Sequence, residues 1–178
     1  MTHLLEQIKA HSTRLFEKTQ QTRRHLHAHP ELSFEEFETA KFVADRLRNL
    51  GLSPQEGIAG TGVVVTIEGT KAPSSRVIGL RADMDALPIL EKNEVTYTST
   101  KPGIMHACGH DVHTSSLLST AEILTELRHE FEGTFKLVFQ PAEEKAPGGA
   151  SILIKEGVLE IPRVQRMFGQ HVAPNVPV

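Results

Sequence analysis

Three short apolar segments, each followed within five positions by acidic or imidazole side chains, restrict the fold of this chain more than any other feature. Segments of this composition are typical of buried strands. Apolar residues recur at helical spacing between them, and such alternation favours an α/β fold with a mostly parallel central sheet. The three strand-like segments are residues 76–80, 135–139 and 166–169.

Helices and one further strand are predicted around these segments. Pro30 ends the first helix, and Gly51 ends the second. Ser33 and Glu36 have the spacing of a capping box, which predicts that the second helix begins there. The predicted elements are a helix over 4–27, a helix over 33–50, a strand over 62–67 beside strand 76–80, an irregular loop over 93–103, a helix from 111 or 114 to about 129, and a helix over 148–157.

Residues 105–115 contain the single cysteine of the chain and three of its ten histidines. A thiolate at Cys108 and an imidazole at His110 form a ligand pair that suits zinc, cobalt, nickel or manganese better than calcium or magnesium. Gly109 lets the backbone turn tightly between the two. The alternative is an inert buried cysteine among surface histidines, and the crowding of these residue types makes that alternative the weaker one.

The strand ends supply carboxylates and another imidazole. Asp83 and Asp85 follow strand 76–80, and Glu143 and Glu144 follow strand 135–139. Ligands collect at the carboxyl ends of strands in open α/β sheets, so these groups are expected to converge with His171 on two divalent cations. Adjacent glutamates diverge, so one can coordinate metal while the other acts as general base. Taken alone, either acidic pair could be a solvated surface loop.

Composition excludes other classes of function. The chain has 178 residues and a formal net charge of −3, and it contains no cluster of Lys and Arg, which argues against nucleic acid as its main partner. No signal-peptide pattern opens the chain and no apolar segment reaches membrane-spanning length, so a cytoplasmic location is expected. A single cysteine cannot form an internal disulfide, which leaves the thiol free for metal.

Five motifs, taken in order, resemble those of the M20 metallopeptidases, and most closely those of the hippurate hydrolase and N-acyl-amino-acid amidohydrolase branch. The Cys-Gly-His motif is the most specific of them. The motifs are HAHPELSFEE at 27–36, RADMDALP at 81–88, MHACGHDVH at 105–113, QPAEE at 140–144 with GGA at 148–150, and QHVAP at 170–174.

The resemblance implies a three-layer α/β sandwich similar to zinc-exopeptidase catalytic domains. It also implies a di-metal amidohydrolase that cleaves N-acyl amino acids, with Mn, Zn, Co or Ni as its two divalent ions. Arg81 stands where relatives have the histidine of a His-x-Asp motif. The residues that match metal ligands are Cys108, His110, Glu144 and His171; Glu143 matches the catalytic acid/base; and Asp83 matches an aspartate that orients a ligand, with Asp85 as a weaker candidate.

Members of this family are considerably longer, so the chain is expected to be the N-terminal portion of the catalytic domain. The expected remainder includes a lid or dimerisation domain, through which a full-length protein would form a homodimer. Three hypotheses stay open at this point. The chain is a fragment of an N-acyl-amino-acid amidohydrolase, a metal-binding but noncatalytic polypeptide, or an unrelated α/β protein in which Cys108 and His110 hold a structural zinc.

Overall fold

The computed structural model describes residues 2–173, which form one five-stranded sheet and four α-helices. The predicted helices and strands are present, and residues 93–103 form the expected irregular loop. The prolines predicted to end regular structure, Pro174 and Pro177, lie outside the described residues. The elements are α1 (Thr2–Ala28), α2 (Phe37–Arg48), β1 (Gln55–Ile58), β2 (Gly62–Glu68), β3 (Val77–Asp83), α3 (His110–Glu126), a 3-10 turn (Arg128–Glu130), β4 (Thr134–Gln140), α4 (Gly149–Lys155) and β5 (Arg166–Gly169).

The sheet confirms the predicted α/β class. Its strand order is β1-β2-β4-β3-β5. Strand β3 is parallel to both β4 and β5, whereas β2 is antiparallel to β4 and β1. The prediction that the segments now defined as β2 and β3 are neighbours is wrong, because β4 lies between them. Strand β1 was not predicted, since it is a short and largely exposed edge strand without apolar alternation.

Helices cover both faces of the sheet and give three layers. Val63 and Val65 of β2 and Phe139 of β4 point to the face covered by α2 and α3. Val64 of β2 points to the opposite face, where it packs in a second cluster with Leu153 of α4. Successive residues of a strand point to opposite faces, so one strand contributes to both cores.

The predicted capping box does not form at the start of α2. Ser33 donates its hydroxyl to Asp85, and the carboxylate of Glu36 binds Thr61 and the backbone N–H of Ala142. The helix begins at Phe37 instead, and its first-turn N–H at Thr39 is bound by the carboxylate of Glu31 at 2.8 Å. A local sequence pattern is overridden here because both side chains have partners elsewhere in the fold.

Among residues 2–173, no helix is both long and apolar enough to cross a membrane.

A buried histidine joins α1 to the start of α3. The Nδ1 atom of His27 lies 2.7 Å from the Asp111 carboxylate, and its Nε2 atom lies 3.0 Å from that of Glu91. Arg23 also contacts Asp111, at 2.9 Å. The hydrogen bond to Asp111 is the largest cause of a raised pKa at His27. The imidazolium form can donate to both carboxylates at once, so protonation strengthens this connection.

The raised pKa of His27 predicts a pH-dependent contribution to stability. Because protonation favours the folded state, the contribution is fully present below the unfolded pKa of about 6.5 and is lost as pH rises through the folded pKa. We expect His27→Gln to lower the free energy of unfolding by about 2 kcal/mol near pH 6 and by less near pH 9. Urea unfolding with a chelator present measures the difference. His129→Gln, at an exposed position, should change stability little at either pH, and an effect of His27→Gln that grows with pH would contradict the role of the His27 imidazolium.

Candidate metal centre

The side chains predicted as site residues lie together at the carboxyl ends of the parallel strands. They are Asp83 at the end of β3, Cys108 and His110 at the start of α3, Glu143 and Glu144 after β4, and His171 after β5. In each of three groups, one ligand atom per residue lies within 4.8 Å of the others. The groups are Cys108, His110 and His171; His110, Glu143 and Glu144; and Asp83, His110 and His113. His110 belongs to all three and is the centre of the site.

His110 has the orientation expected of a metal ligand. Its Nδ1 atom lies 2.9 Å from the carbonyl oxygen of Asp85 and 3.2 Å from the Asp85 carboxylate, so Nδ1 carries the proton. Its Nε2 atom is buried and has no hydrogen-bond partner among residues 2–173. That nitrogen lies 3.9 Å from the carboxylates of both Glu143 and Glu144. A histidine ligand typically binds metal through one nitrogen while a carboxylate or carbonyl holds the other.

Asp85 connects His110 to the loop after β4. Besides His110, its buried carboxylate accepts the backbone N–H groups of Glu143 and Glu144, both at 3.0 Å, and the hydroxyl of Ser33 at 2.6 Å. Burial alone would raise the pKa of Asp85, but these hydrogen bonds outweigh it and the pKa is lowered. The sequence ranked Asp85 below Asp83. Its position two residues after the end of β3, where ligands collect in open α/β sheets, is the sequence signal that points to it.

A second buried carboxylate supports the same loop. Glu36 accepts the backbone N–H of Ala142 at 2.7 Å and the hydroxyl of Thr61 at 2.5 Å. Ala142 has a φ of +46°, an unusual value for a residue with a side chain. Three consecutive N–H groups, at 142–144, therefore bind buried carboxylates, and this holds the two glutamates at the site. Sequence reasoning missed this role because it placed Glu36 in a helix cap.

Cys108 and His171 form the outer part of the site. The Cys108 Sγ atom lies 3.5 Å from His171 Nε2. Gly109 has the predicted tight turn, with a φ of +84°, and α3 begins directly after it. Burial and the neighbouring carboxylates of Glu144 and Glu143 raise the pKa of the Cys108 thiol to about 11. These groups favour the protonated thiol, and a bound cation would reverse that preference.

Asp83 lies at the site but contacts a residue that was not predicted. Its Oδ1 atom is 2.7 Å from His113 Nδ1, and its Oδ2 atom is 2.7 Å from the guanidinium of Arg81. Its distance from His110 Nε2 is 3.6 Å, which is too long for a hydrogen bond. The predicted ligand His110 is thus held by Asp85 and not by Asp83, because Asp83 binds His113 instead.

The residues present suit divalent cations. The Cys108 thiol lies close to the carboxylates of Glu144 and Glu143, and the buried His110 Nε2 faces both glutamates without a partner among the described residues. A metal ion that binds clustered carboxylates together with a buried imidazole nitrogen stabilises both kinds of group. Thiolate, imidazole and carboxylate ligands favour zinc, manganese, cobalt or nickel over calcium.

Comparisons with known proteins agree with this chemistry. The family model described as peptidase family M20/M25/M40 matches residues 79–178. The N-acyl-L-amino acid amidohydrolase of Geobacillus stearothermophilus is 46% identical over 150 residues, covering 84% of this chain and 40% of that protein. The N-acetyl-L-cysteine deacetylase of Bacillus subtilis is 45% identical over 157 residues, covering 88% of this chain and 36% of that protein.

A solved structure is also similar. The Bacillus subtilis YXEP protein, described as a dinuclear metal-binding peptidase of the M20 family, superposes with a TM-score of 0.83 at 43% identity. The match covers 96% of this chain and 45% of that one. The chain thus spans about two fifths of the length of the curated relatives that it matches.

The contacts of Asp85 predict a large effect of Asp85→Asn. Both oxygens of Asp85 accept hydrogen bonds. In asparagine an NH₂ group replaces one of these oxygens and would face N–H or O–H donors. We therefore expect a loss of about 3 kcal/mol in the free energy of unfolding. Urea unfolding measures it. The matched control is Asp45→Asn, whose carboxylate is 54% exposed and pairs with Arg48 on α2, and we expect less than about 0.5 kcal/mol there. Equal losses in the two variants would contradict the role of Asp85.

Proposed function

Because the chain belongs to peptidase family M20/M25/M40, we propose that its site takes part in hydrolysing the amide bond of N-acyl amino acids, which releases a carboxylic acid and a free amino acid. The observation that carries the proposal is the buried Nε2 of His110, which has no hydrogen-bond partner within residues 2–173 and faces Glu143 and Glu144 at 3.9 Å. Two relatives, named as an N-acyl-L-amino acid amidohydrolase and an N-acetyl-L-cysteine deacetylase, support this class of substrate.

We assign four residues as ligands of two divalent cations. Cys108, His110 and His171 form one group of donors, and Glu144 joins His110 in another. When bound, such a pair of ions lowers the pKa of a water molecule and polarises the amide carbonyl. The side chain of Glu144 is 25% exposed, whereas that of its neighbour Glu143 is 41% exposed. The more enclosed glutamate suits the role of ligand.

Glu143 is the proposed general base. Its side chain is on the open side of the site, where it can take a proton from the attacking water and deliver it to the leaving amide nitrogen. Its backbone N–H binds Asp85, the same carboxylate that contacts Nδ1 of His110, so Asp85 connects the two residues. Positioning of this kind matters because the base has to lie within hydrogen-bond reach of the water whose proton it takes.

Two of the three starting hypotheses compete in this proposal. An unrelated fold with a structural zinc is excluded by the family match. A metal-binding but noncatalytic chain stays an alternative that activity measurements decide. The acyl group, dimer formation through a further domain and a cytoplasmic location stay predictions from the sequence.

Replacing each of the two glutamates by glutamine in turn separates their roles. We propose to graft residues 1–173 in place of the matching segment of the Geobacillus amidohydrolase and to measure hydrolysis of N-acetyl and N-benzoyl amino acids. Glu143→Gln should lower kcat on the order of 10²–10⁴-fold with bound metal unchanged, since only a base is lost. Glu144→Gln should lower the content of bound metal. Metal loss in Glu143→Gln would reassign that residue as a ligand.

Metal stoichiometry tests the centre in the chain itself. We expect the 178-residue chain to bind about two Co²⁺ ions, with an absorption band from the thiolate of Cys108 that disappears in Cys108→Ser. Titration followed by elemental analysis measures both. A single tightly bound ion that is unaffected by Glu144→Gln would overturn the two-ion assignment.

A further inference from the structure

Three groups form a continuous line of hydrogen bonds from β3 to the segment after β5. The Asp83 carboxylate lies 2.7 Å from His113 Nδ1, and the backbone N–H of Val172 donates to His113 Nε2 at 3.0 Å. We propose that His113 is a positioning residue that holds His171 in place for metal binding, with Asp83 acting through it. This inference rests on the proposed function, in which His171 is a ligand.

The contacts determine which nitrogen of His113 carries the proton. The backbone N–H of Val172 can only donate, so His113 Nε2 is an acceptor and the ring proton lies on Nδ1, which faces the Asp83 carboxylate at 2.7 Å. Nδ1 therefore donates, and Nε2 keeps a lone pair for the N–H of Val172. The opposite tautomer would place two donors face to face at Val172.

The same contacts leave His113 no free nitrogen with which to bind a metal ion. Both ring nitrogens of His113 have partners, and its side chain is 0% exposed. The Oδ2 atom of Asp83 is paired with Arg81 at 2.7 Å. The group of Asp83, His110 and His113 has the spacing of a metal site, but both ring nitrogens of His113 are already hydrogen-bonded. His113 is consequently better suited to orient a ligand than to be one.

The segment that carries His171 needs such support. Strand β5 pairs with β3 along one edge, and all four of its residues are exposed. The side chain of His171 is exposed as well, and its Nδ1 contacts the carbonyl oxygen of the adjacent Val172. The bond from Val172 N–H to His113 ties this segment to the buried interior one residue after the proposed ligand.

Packing supports the same arrangement. A Cβ atom on Gly109 would lie 2.2 Å from Cγ2 of Val172, so the valine side chain occupies the space that glycine leaves free. The rings of His113 and His171 meet edge to face, with centroids 4.7 Å apart. Gly109 lies between Cys108 and His110 in the sequence, so the segment with His171 rests directly on the turn that carries two other proposed ligands.

Two substitutions of His113 separate its two hydrogen bonds. The amide of asparagine reaches the position of Nδ1 and can keep the bond to Asp83, whereas the amide of glutamine reaches the position of Nε2 and can accept from Val172. In the metal-free chain, we expect hydrogen exchange at the Val172 amide to be at least about tenfold faster in His113→Asn and close to the original rate in His113→Gln.

Measurements of metal affinity then test whether the contact between His113 and Val172 supports the proposed ligand His171. Co²⁺ titration of the chain should show one site weakened about 10–100-fold in His113→Asn and largely restored in His113→Gln. Equal weakening in both variants, or none in His113→Asn, would overturn the proposal. Circular dichroism checks that each variant is folded.

The unsubstituted chain gives a test that does not depend on how the variants fold. Nitrogen-15 NMR of the metal-free protein should find His113 protonated at Nδ1 and unprotonated at Nε2. A proton on Nε2 would refute the role of His113 whatever the variants do. Absence of Co²⁺ binding in the unsubstituted chain would instead refute the proposed metal centre, and with it the ligand role of His171.

Discussion

The buried carboxylate of Asp85 is the interaction on which the geometry of the site depends. It binds donors from three separate parts of the chain, namely Ser33, His110 and the backbone at 143–144. Each donor would be costly to leave unpaired in the interior, so they stay together. One side chain therefore sets the distance between the start of α3 and the loop that carries the two glutamates.

The charge at the site explains why metal and fold are coupled. The carboxylates of Glu143 and Glu144 lie near Cys108, where they help to raise the pKa of the thiol. Arg81 is engaged with Asp83 and cannot neutralise them. Divalent cations would stabilise the thiolate and bind Nε2 of His110, so the free energy of metal binding would also hold these loops in place.

The sequence predicted the longer helices and strands well, but it predicted the order of the strands in the sheet less well. Helix α3 and strand β4 are rich in buried apolar residues and were found, whereas β1 is a short, largely exposed edge strand. The prediction that β2 lies beside β3 was wrong, because strand order depends on contacts between distant segments. The capping box was wrong because Ser33 and Glu36 bind groups about fifty and one hundred positions away.

By itself, the sequence determined the types of ligand and the strand ends at which they occur, because apolar periodicity and residue chemistry are local properties. Only the tertiary structure decided which carboxylate holds which histidine: Asp85 binds His110, and Asp83 binds His113. Asp83 ends β3 and Asp85 lies two residues beyond it, and both histidines lie in the first turn of α3. The pairing depends on how that helix packs against the strand, and directional hydrogen bonds between distant segments leave no local pattern in the sequence.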